Sequence, residues 1–367
     1  MEKNIRVCHF TSVHDAHDDR IYLKECISLR DAGYKVYIVS KGKSKAENGI
    51  EIIGCGKSRN RVERVFLLSR RIYREAKKLD CDIYHFHDPE LLHYALKLKR
   101  CGKKVIFDSH EDVPAQILDK AWIPLVFRKM ISDCYRIYET YVVKRIDAVI
   151  AATPHIGEQF KDRACKVVVI NNYPKLDDIV FHDTPFEQRE AIICYAGGID
   201  EIRGETVMIE AMKDLDGTLV LAGKAKGKMS GGGVKYLGHI DRKAVNELYG
   251  QAVAGLVLLL PTANYMNSLP IKMFEYMAAG IPFVASDFPL WREIVSACQC
   301  GFCVPVNNKK KIQQSITCLL SNRKDAERMG RNGRRAVERL YNWNIEGTKL
   351  IGLYESMNCD QKEIGLR

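Results

Sequence analysis

Short apolar runs alternate with stretches of helical period along almost the whole chain. Residues 5–10, 35–40, 82–87, 104–109, 147–152 and 167–171 read as strands. Amphipathic helical patterns lie between them, the first over 20–32 and closed by Gly33. The rhythm restarts at 191–196 and continues at 218–222, 234–237, 254–260 and 283–286. Strands separated by helix-length segments build parallel sheets from right-handed βαβ units. Two such runs predict an α/β protein with two Rossmann-like domains. Between them, 172–190 is polar, contains Pro174 and Pro185, and shows no periodicity. The expected layout is a first domain over 1–172, a linker over 173–190 and a second domain over 191–345. Helices over 310–321, 323–340 and 344–357 follow the second sheet.

A chain of 367 residues accommodates two domains of ordinary size, and 46% hydrophobic with 28% charged residues is a globular composition. No apolar run reaches the roughly 18 residues of a membrane span. The N-terminus enters a strand without a signal-peptide core, so a cytoplasmic protein is expected. The thirteen cysteines are odd in number and mostly embedded in apolar runs, as at Cys8, Cys55, Cys134 and Cys194, which predicts reduced thiols. Cys298, Cys300 and Cys303 cluster, but no fourth ligand follows at a zinc spacing.

The net charge of +11 is unevenly spread. Between 57 and 78, nine Lys and Arg residues face only Glu63 and Glu75, interleaved with Val62, Val65, Phe66, Leu67, Leu68, Ile72 and Tyr73. This is the pattern of a basic amphipathic helix on an anionic membrane surface, or of a solvated face. No nucleic-acid-binding module accompanies it, so nucleic acid is not an expected partner. The segment 114–145 sets Trp122, Leu125, Val126, Phe127, Met130 and Ile131 among Lys120, Arg128 and Lys129. It reads either as a second lipid-facing surface or as ordinary helix packing.

The densest candidate chemistry lies at 267–286. A short helix is expected there, with Ser268 as N-cap, Pro270 in the first turn and Gly280 past the end. Ser268, Lys272 and Glu275 then share a polar face, while Ile271, Phe274 and Ala278 pack. Helix-start N–H groups, a cation and a carboxylate suit a nucleoside diphosphate, with Lys272 on phosphate and Glu275 on ribose hydroxyls. Upstream, a strand runs through Gly197 and Gly198 to Arg203, Gly204 and a helix starting near Glu205, a phosphate-loop arrangement. Lys224 follows the next strand, at the sheet edge where α/β ligands bind.

In the first half, His110 and Glu111 end one strand, and His87, Asp88 and Glu90 end another, where they would face a cleft between the domains. The loop 11–20 carries His14, His17, Asp18, Asp19 and Arg20, with Asp18 or Asp19 as helix cap or acceptor contact. A metal set of His14, His17 and Asp19 follows no spacing rule. Asp80-Cys-Asp82 and Asp214-Leu-Asp216 precede strands and read as turns.

Residues 267–286 resemble the donor-nucleotide motif of family 4 glycosyltransferases, in which a Glu-x7-Glu pair brackets the helix. Here Glu275 is the second Glu, and Asn267 stands at the first position. The resemblance covers nearly the whole chain, most specifically 195–343. It implies the GT-B fold, two Rossmann-like domains with parallel sheets facing across a cleft, and a final helix, 346–367, returning to the first domain. It implies retaining transfer from a nucleotide-diphosphate sugar, with no required metal or other cofactor. His110, Asn267 and Glu275 are then the candidate catalytic residues, His110 near the reacting carbon. Gly197, Gly198, Arg203 in place of the family's Lys, Lys224, Ser268, Leu269, Pro270, Lys272 and Glu275 are the candidate donor site. The loop 11–20 is similar to a subset of bacterial polysaccharide enzymes; His14, Asp19 and Arg20 in it, with His87, Asp88 and Glu111 at the two strand ends, are the candidate acceptor contacts.

Together with the basic stretch, this points to a glycan or polyprenyl-linked acceptor. The setting would be capsule, O-antigen or exopolysaccharide synthesis at the inner membrane face. Two alternatives stay open: a nucleotide-sugar epimerase or hydrolase of the same fold, and a non-catalytic GT-B scaffold, the latter motivated by Asn267 and Gly198.

Overall fold

The computed structural model describes residues 3–120, 122–225 and 232–364. They fall into two compact units, Met1–Asn172 with Glu346–Arg367, and Tyr173–Ile345. In the first, β1 (Arg6–Phe10) leads through a loop into α1 (19–31), whose opening stretch, Asp19–Cys26, is wound as a π-helix. Next come β2 (Lys35–Ser40), the hairpin β3 (Lys45–Glu47) and β4 (Ile50–Gly54), and α2 (61–78). β5 (Ile83–Phe86), α3 (Leu92–Arg100), β6 (Lys104–Ser109), α4 (Val113–Asp119) and α5 (Leu125–Val143) follow. β7 (Ala148–Ala151), α6 (Pro154–Phe160) and β8 (Val167–Val169) complete the run.

The spatial order is β3-β4-β2-β1-β5-β6-β7-β8, parallel except for the β3/β4 pair. Strand order reverses between β1 and β5. The loops after β1, β5 and β6 therefore gather at the carboxyl ends of the strands around that point. The β3/β4 hairpin was not expected from periodicity, because its first strand is short and fully exposed. Its turn, Asn48-Gly49, has φ of 50° and 73°, the left-handed pair that a two-residue hairpin turn requires.

The second unit contains β9 (Ile192–Ala196), α7 (Glu205–Met212), β10 (Thr218–Ala222), β11 (Val234–Tyr236), α8 (Arg242–Gln251) and β12 (Ala254–Val257). It continues through α9 (Ala263–Met266), α10 (Ile271–Ala279), β13 (Phe283–Ser286), α11 (Pro289–Cys298), β14 (Gly301–Val304), α12 (Lys309–Ser321) and α13 (Arg323–Arg339). The order β11-β10-β9-β12-β13-β14, all parallel, is that of a dinucleotide-binding Rossmann sheet, reversing between β9 and β12. β14 was not expected. It runs through the cysteine cluster, so Cys300 is buried at its entry, Cys303 lies within it and Cys298 closes α11.

The stretch 173–190 is not a free linker. Tyr173, Ile179 and Phe186 are buried in the core of the second unit, and Tyr173 packs edge-on to Phe274 at 4.6 Å. Three apolar anchors suffice to dock a segment whose composition is otherwise polar. The last helix, α14 (Trp343–Ile364), joins the first unit from Glu346 onward. There Glu346 accepts from the Asn171 N–H at 2.9 Å, and Tyr354 is fully buried. Among the described residues, no helix is long and apolar enough to cross a membrane.

Candidate active site

The second sheet opens a cavity of about 350 Å³ at the carboxyl ends of β9 and β10. Ala196, Gly197, Gly198, Gly223, Lys224, His239, Arg242 and Lys272 line it. Its floor is bare backbone: the Gly197 N–H donates to the Ala222 carbonyl at 2.8 Å, and the Gly223 N–H to the Gly238 carbonyl at 2.7 Å. A Cβ at Gly197 would come within 3.3 Å of the Lys272 Cε, so Lys272 lies directly over the glycine loop. Glycine backbone beneath a lysine is an arrangement that admits a phosphate closely.

Glu275 anchors this wall. It is 2% exposed and accepts from Lys272 Nζ at 2.5 Å, Tyr249 Oη at 2.9 Å and Arg242 Nη1 at 3.0 Å. Burial opposes its ionisation, but Lys272 and Arg242 outweigh that and hold the carboxyl below its usual value. The carboxylate thus fixes two cations at the rim of the cavity.

Ser268 does not cap α10. The helix begins at Ile271 with Pro270 in the capping position, and the Ser268 hydroxyl donates to the Tyr265 carbonyl at 3.0 Å. Trp291 Nε1 donates to the Ser268 carbonyl at 2.6 Å and Leu269 packs on the core, so side-chain packing sets this turn. Asn267 is exposed at the end of α9 and does not line the cavity. Arg203 does not line it either. Its guanidinium pairs with Asp200 and lies 3.4 Å from where a Gly198 Cβ would stand, on the flank of the loop.

In the first unit, the gathered loops hold a dense imidazole–carboxylate network. Asp108 is fully buried and accepts both Arg20 Nε at 2.9 Å and Arg20 Nη2 at 3.0 Å. His110 Nε2 lies 3.0 Å from Asp108 Oδ2 and 3.3 Å from His87 Nδ1. Burial disfavours the Asp108 charge, yet Arg20 and His110 hold its carboxyl far below the usual range. Burial pushes His87 down to about 4 despite the pull of Asp108.

Three of the residues expected to face an acceptor are interior. Arg20 is 3% exposed and also donates from Nη1 to the Ile170 carbonyl at 2.9 Å. Asp88 is 1% exposed and gathers the loop after β1, accepting from Thr11 Oγ1 at 2.8 Å and the Ser12 N–H at 2.5 Å. His87 is 3% exposed within the network. Strand-end position predicted exposure. Partners on α1, on β6 and in the loop after β1 hold these groups inside instead, because a buried polar or charged group requires a hydrogen-bond partner or counter-charge.

Asp18 is the cap of α1, accepting from the Arg20 and Ile21 N–H groups, which leaves Asp19 exposed beside it. His14 lies 3.0 Å from Asp18 and its ring is tilted against His110 at 5.0 Å. His17 pairs instead with Glu47, so His14, His17 and Asp19 do not converge on a metal. Glu111 is exposed and accepts from Gln116. Asp80 and Asp214 occupy turns at φ of 46° and 67°.

Residues 176–336 match the family described as glycosyl transferases group 1, and residues 23–173 match glycosyltransferase family 4. The chain belongs to the group 1, or family 4, glycosyltransferases. A phosphatidyl-myo-inositol mannosyltransferase of Mycobacterium leprae (strain TN) is 27% identical over 181 residues, 45% of this chain and 46% of that one. The chain thus spans about half the length of that relative. A protein of the same name from Mycolicibacterium smegmatis (strain ATCC 700084 / mc(2)155) is 22% identical over 360 residues, 90% of this chain and 87% of that one. Among solved structures, sucrose-phosphate synthase from Thermosynechococcus elongatus superposes with TM-score 0.78 at 18% identity, covering 97% of this chain and 100% of that one. Anabaena HepE in complex with UDP-glucose superposes with TM-score 0.71 at 12% identity, over 96% and 100%. These last two likenesses are of fold, and the fold is GT-B.

For this glycosyltransferase, His239 and Arg242 were missed as cavity residues. The signal was present: Asp241 caps α8 directly after the β11 loop, which brings both residues to the same strand edge as Lys224. Gly223 was also passed over. Its φ is +137°, and a Cβ there would stand 1.7 Å from the Gly197 carbonyl oxygen. Gly223→Ala is expected to push the two loops apart at a cost of at least ~2 kcal/mol. It should weaken nucleoside-diphosphate binding at least tenfold in calorimetry. Unchanged affinity would mean that the loops do not form the binding floor.

Two exposed apolar faces lie in the first unit. On α2, Val62, Phe66 and Leu67 are exposed, Phe66 at 68%. On and before α5, Trp122, Leu125, Val126 and Met130 are exposed, Val126 at 80%. The Arg61 guanidinium sits 4.8 Å over the Trp122 ring and joins the two faces. Ordinary helix packing does not account for side chains so open to water.

Proposed function

We propose that this chain transfers a hexose, with retention at the anomeric carbon, from a nucleotide-diphosphate sugar to a glycan or polyprenyl-linked acceptor. The carrying observation is Lys272 held over the Gly197–Gly198 floor by buried Glu275, with Arg242 and Lys224 at the same cavity. These cations would neutralise the leaving diphosphate as the glycosidic bond breaks. The family motif implies a Glu275 contact to the ribose hydroxyls, but a carboxylate this buried and engaged by three hydrogen-bond donors would act on the sugar donor through Lys272 and Arg242 instead. His110 would meet the transferred sugar, and His14, Asp19 and Glu111 the acceptor; Asn267, which lies outside the cavity, is left without a role in this reading. A cavity of about 360 Å³ beside Glu111, lined by Leu118, Phe160, Lys129 and Arg136, supports an amphipathic acceptor in the first unit. UDP-glucose in the Anabaena structure favours a uridine donor, and phosphatidyl-myo-inositol in the names of both mycobacterial relatives favours a lipid-borne acceptor.

Calorimetry with UDP, GDP and ADP tests the donor site. Micromolar to millimolar binding of one of them is expected, and binding of none would remove the reading together with the enzyme assignment. The joined faces of α2 and α5, with Arg61, Arg70, Arg74 and Lys129 around them, suit an anionic lipid surface, which would fit a role in capsule, O-antigen or exopolysaccharide synthesis. In flotation assays the protein should rise with phosphatidylglycerol vesicles and not with phosphatidylcholine, and Phe66→Asp with Val126→Asp should reduce this several-fold. Failure to float with either vesicle would eliminate the membrane part alone.

A further inference from the structure

Three histidines and a glutamate meet inside the first unit, beneath the loops that carry His14 and His110. His9 lies on β1 and His85 on β5, and the two are in register across the parallel pair. His87 follows His85 by two residues and so points to the same side of the sheet. Glu25 comes from the π-helical stretch of α1, a winding that often marks functional sites. All four side chains are buried. Histidine and glutamate are rarely buried together without a partner that satisfies them.

Their hydrogen bonding is lopsided in an informative way. Each imidazole has one nitrogen engaged from outside the cluster. His85 Nδ1 lies 2.9 Å from the Tyr354 hydroxyl, and His9 Nε2 lies 3.4 Å from the same oxygen. His87 Nδ1 lies 3.4 Å from Asp108 Oδ2. The opposite nitrogens turn inward. His9 Nδ1 and His87 Nε2 approach to 3.1 Å, and His85 Nε2 is buried with no partner. Both Glu25 carboxylate oxygens are also buried without a hydrogen bond. Arg20 Nε is 3.0 Å from Oε1, but its hydrogen is directed to Asp108. Oε2 faces His9 Nδ1 at 3.8 Å and His87 Nε2 at 4.0 Å.

We propose that His9, Glu25, His85 and His87 bind a structural divalent metal ion, zinc by its ligand set. One ligand atom from each lies within 4.8 Å of all the others. Tetrahedral zinc with bonds of roughly 2.1 Å sets its ligand atoms roughly 3.4 Å apart, so small side-chain movements close the shell. Three imidazoles and one carboxylate fill four positions and leave none for water or substrate, the mark of a structural site. The outward bonds to Tyr354 and Asp108 would fix the ring orientations and leave the opposite nitrogens free for the ion. An ion here would satisfy His85 Nε2 and the Glu25 oxygen that faces the histidines, leaving the other oxygen to Arg20 at 3.0 Å. It would also tie β1, β5, α1 and, through Tyr354, the last helix into one block under His110. It would take no part in sugar transfer, so the site stands apart from the proposed donor chemistry.

Elemental analysis of the untagged full-length protein, expressed with added zinc, should find about one zinc per chain. After removal by a strong chelator, Tm should fall, and re-addition of zinc should raise it by about 5–10 °C, as expected for a ligand at ~100-fold its Kd. Cobalt in place of zinc should give the intense visible absorption of a tetrahedral nitrogen–oxygen site. Glu25→Gln should abolish that absorption, whereas Lys272→Ala should retain it. The wild-type cobalt spectrum carries the test should Glu25→Gln fail to fold. Less than about a tenth of an equivalent of metal, with no rise in Tm on adding zinc, overturns the proposal even if donor binding is confirmed.

Discussion

Lys272→Ala should lower the turnover of nucleotide-diphosphate sugar by about 10²–10³-fold, the usual penalty for removing one preorganised group that stabilises developing charge. The lysine meets both requirements for that role. It stands over Gly197, where a phosphate can approach backbone, and Glu275 holds its ammonium at 2.5 Å before any ligand arrives. Little ordering would then remain for the reaction itself. Nucleoside-diphosphate affinity should fall about 10–100-fold, consistent with a lost hydrogen bond to a charged group. The fold should survive, because Arg242 and Tyr249 still hold the buried Glu275 carboxylate. Donor consumption and calorimetry, run beside a thermal melt, separate these effects. Wild-type affinity and turnover in a folded Lys272→Ala protein would dismiss the cavity as the diphosphate site.

The second large effect concerns stability. Arg20→Leu should destabilise the first unit by about 3–5 kcal/mol, because it strands the fully buried Asp108 carboxylate beside Glu25. Arg20 makes a two-pronged contact with Asp108 and a third bond to the Ile170 carbonyl, so one guanidinium ties α1, β6 and the segment after β8 together. A drop of roughly 10 °C in the melting of this unit is expected. Arg20→Lys should recover little, because an ammonium cannot reproduce the fork. A shift below 2 °C for Arg20→Leu would mean that Asp108 is satisfied by other means.

Which parts of this picture could be read along the chain follows from how local each signal is. Strands β1, β2, β5, β6, β9, β10 and β13 announce themselves as apolar runs, because a parallel strand covered on both faces has no polar side to show. The β3/β4 hairpin was missed although Asn48-Gly49 marks it, since β3 has no buried face to create a pattern. β14 carries little local mark because three of its four residues are only partly buried and Pro305 follows it at once. Lys272 and Glu275 were legible because they sit on one helix at fixed spacing. Their partners Arg242 and Tyr249, on α8, lie 33 and 26 residues away and carry no local mark.

Periodicity and glycine placement already specified two Rossmann-like halves, the phosphate-type loop and the helix behind it, since both depend on neighbours within a few positions. Burial of charge was decided elsewhere. Whether Arg20, His87 and Asp88 meet water or one another depends on which strands lie side by side, and α1 brings Glu25 against histidines some 60 residues away only once β1 and β5 have paired. An ionised group inside a protein persists only with a counter-charge or ligand at contact distance. Contact distance between remote residues is a property of the folded chain alone.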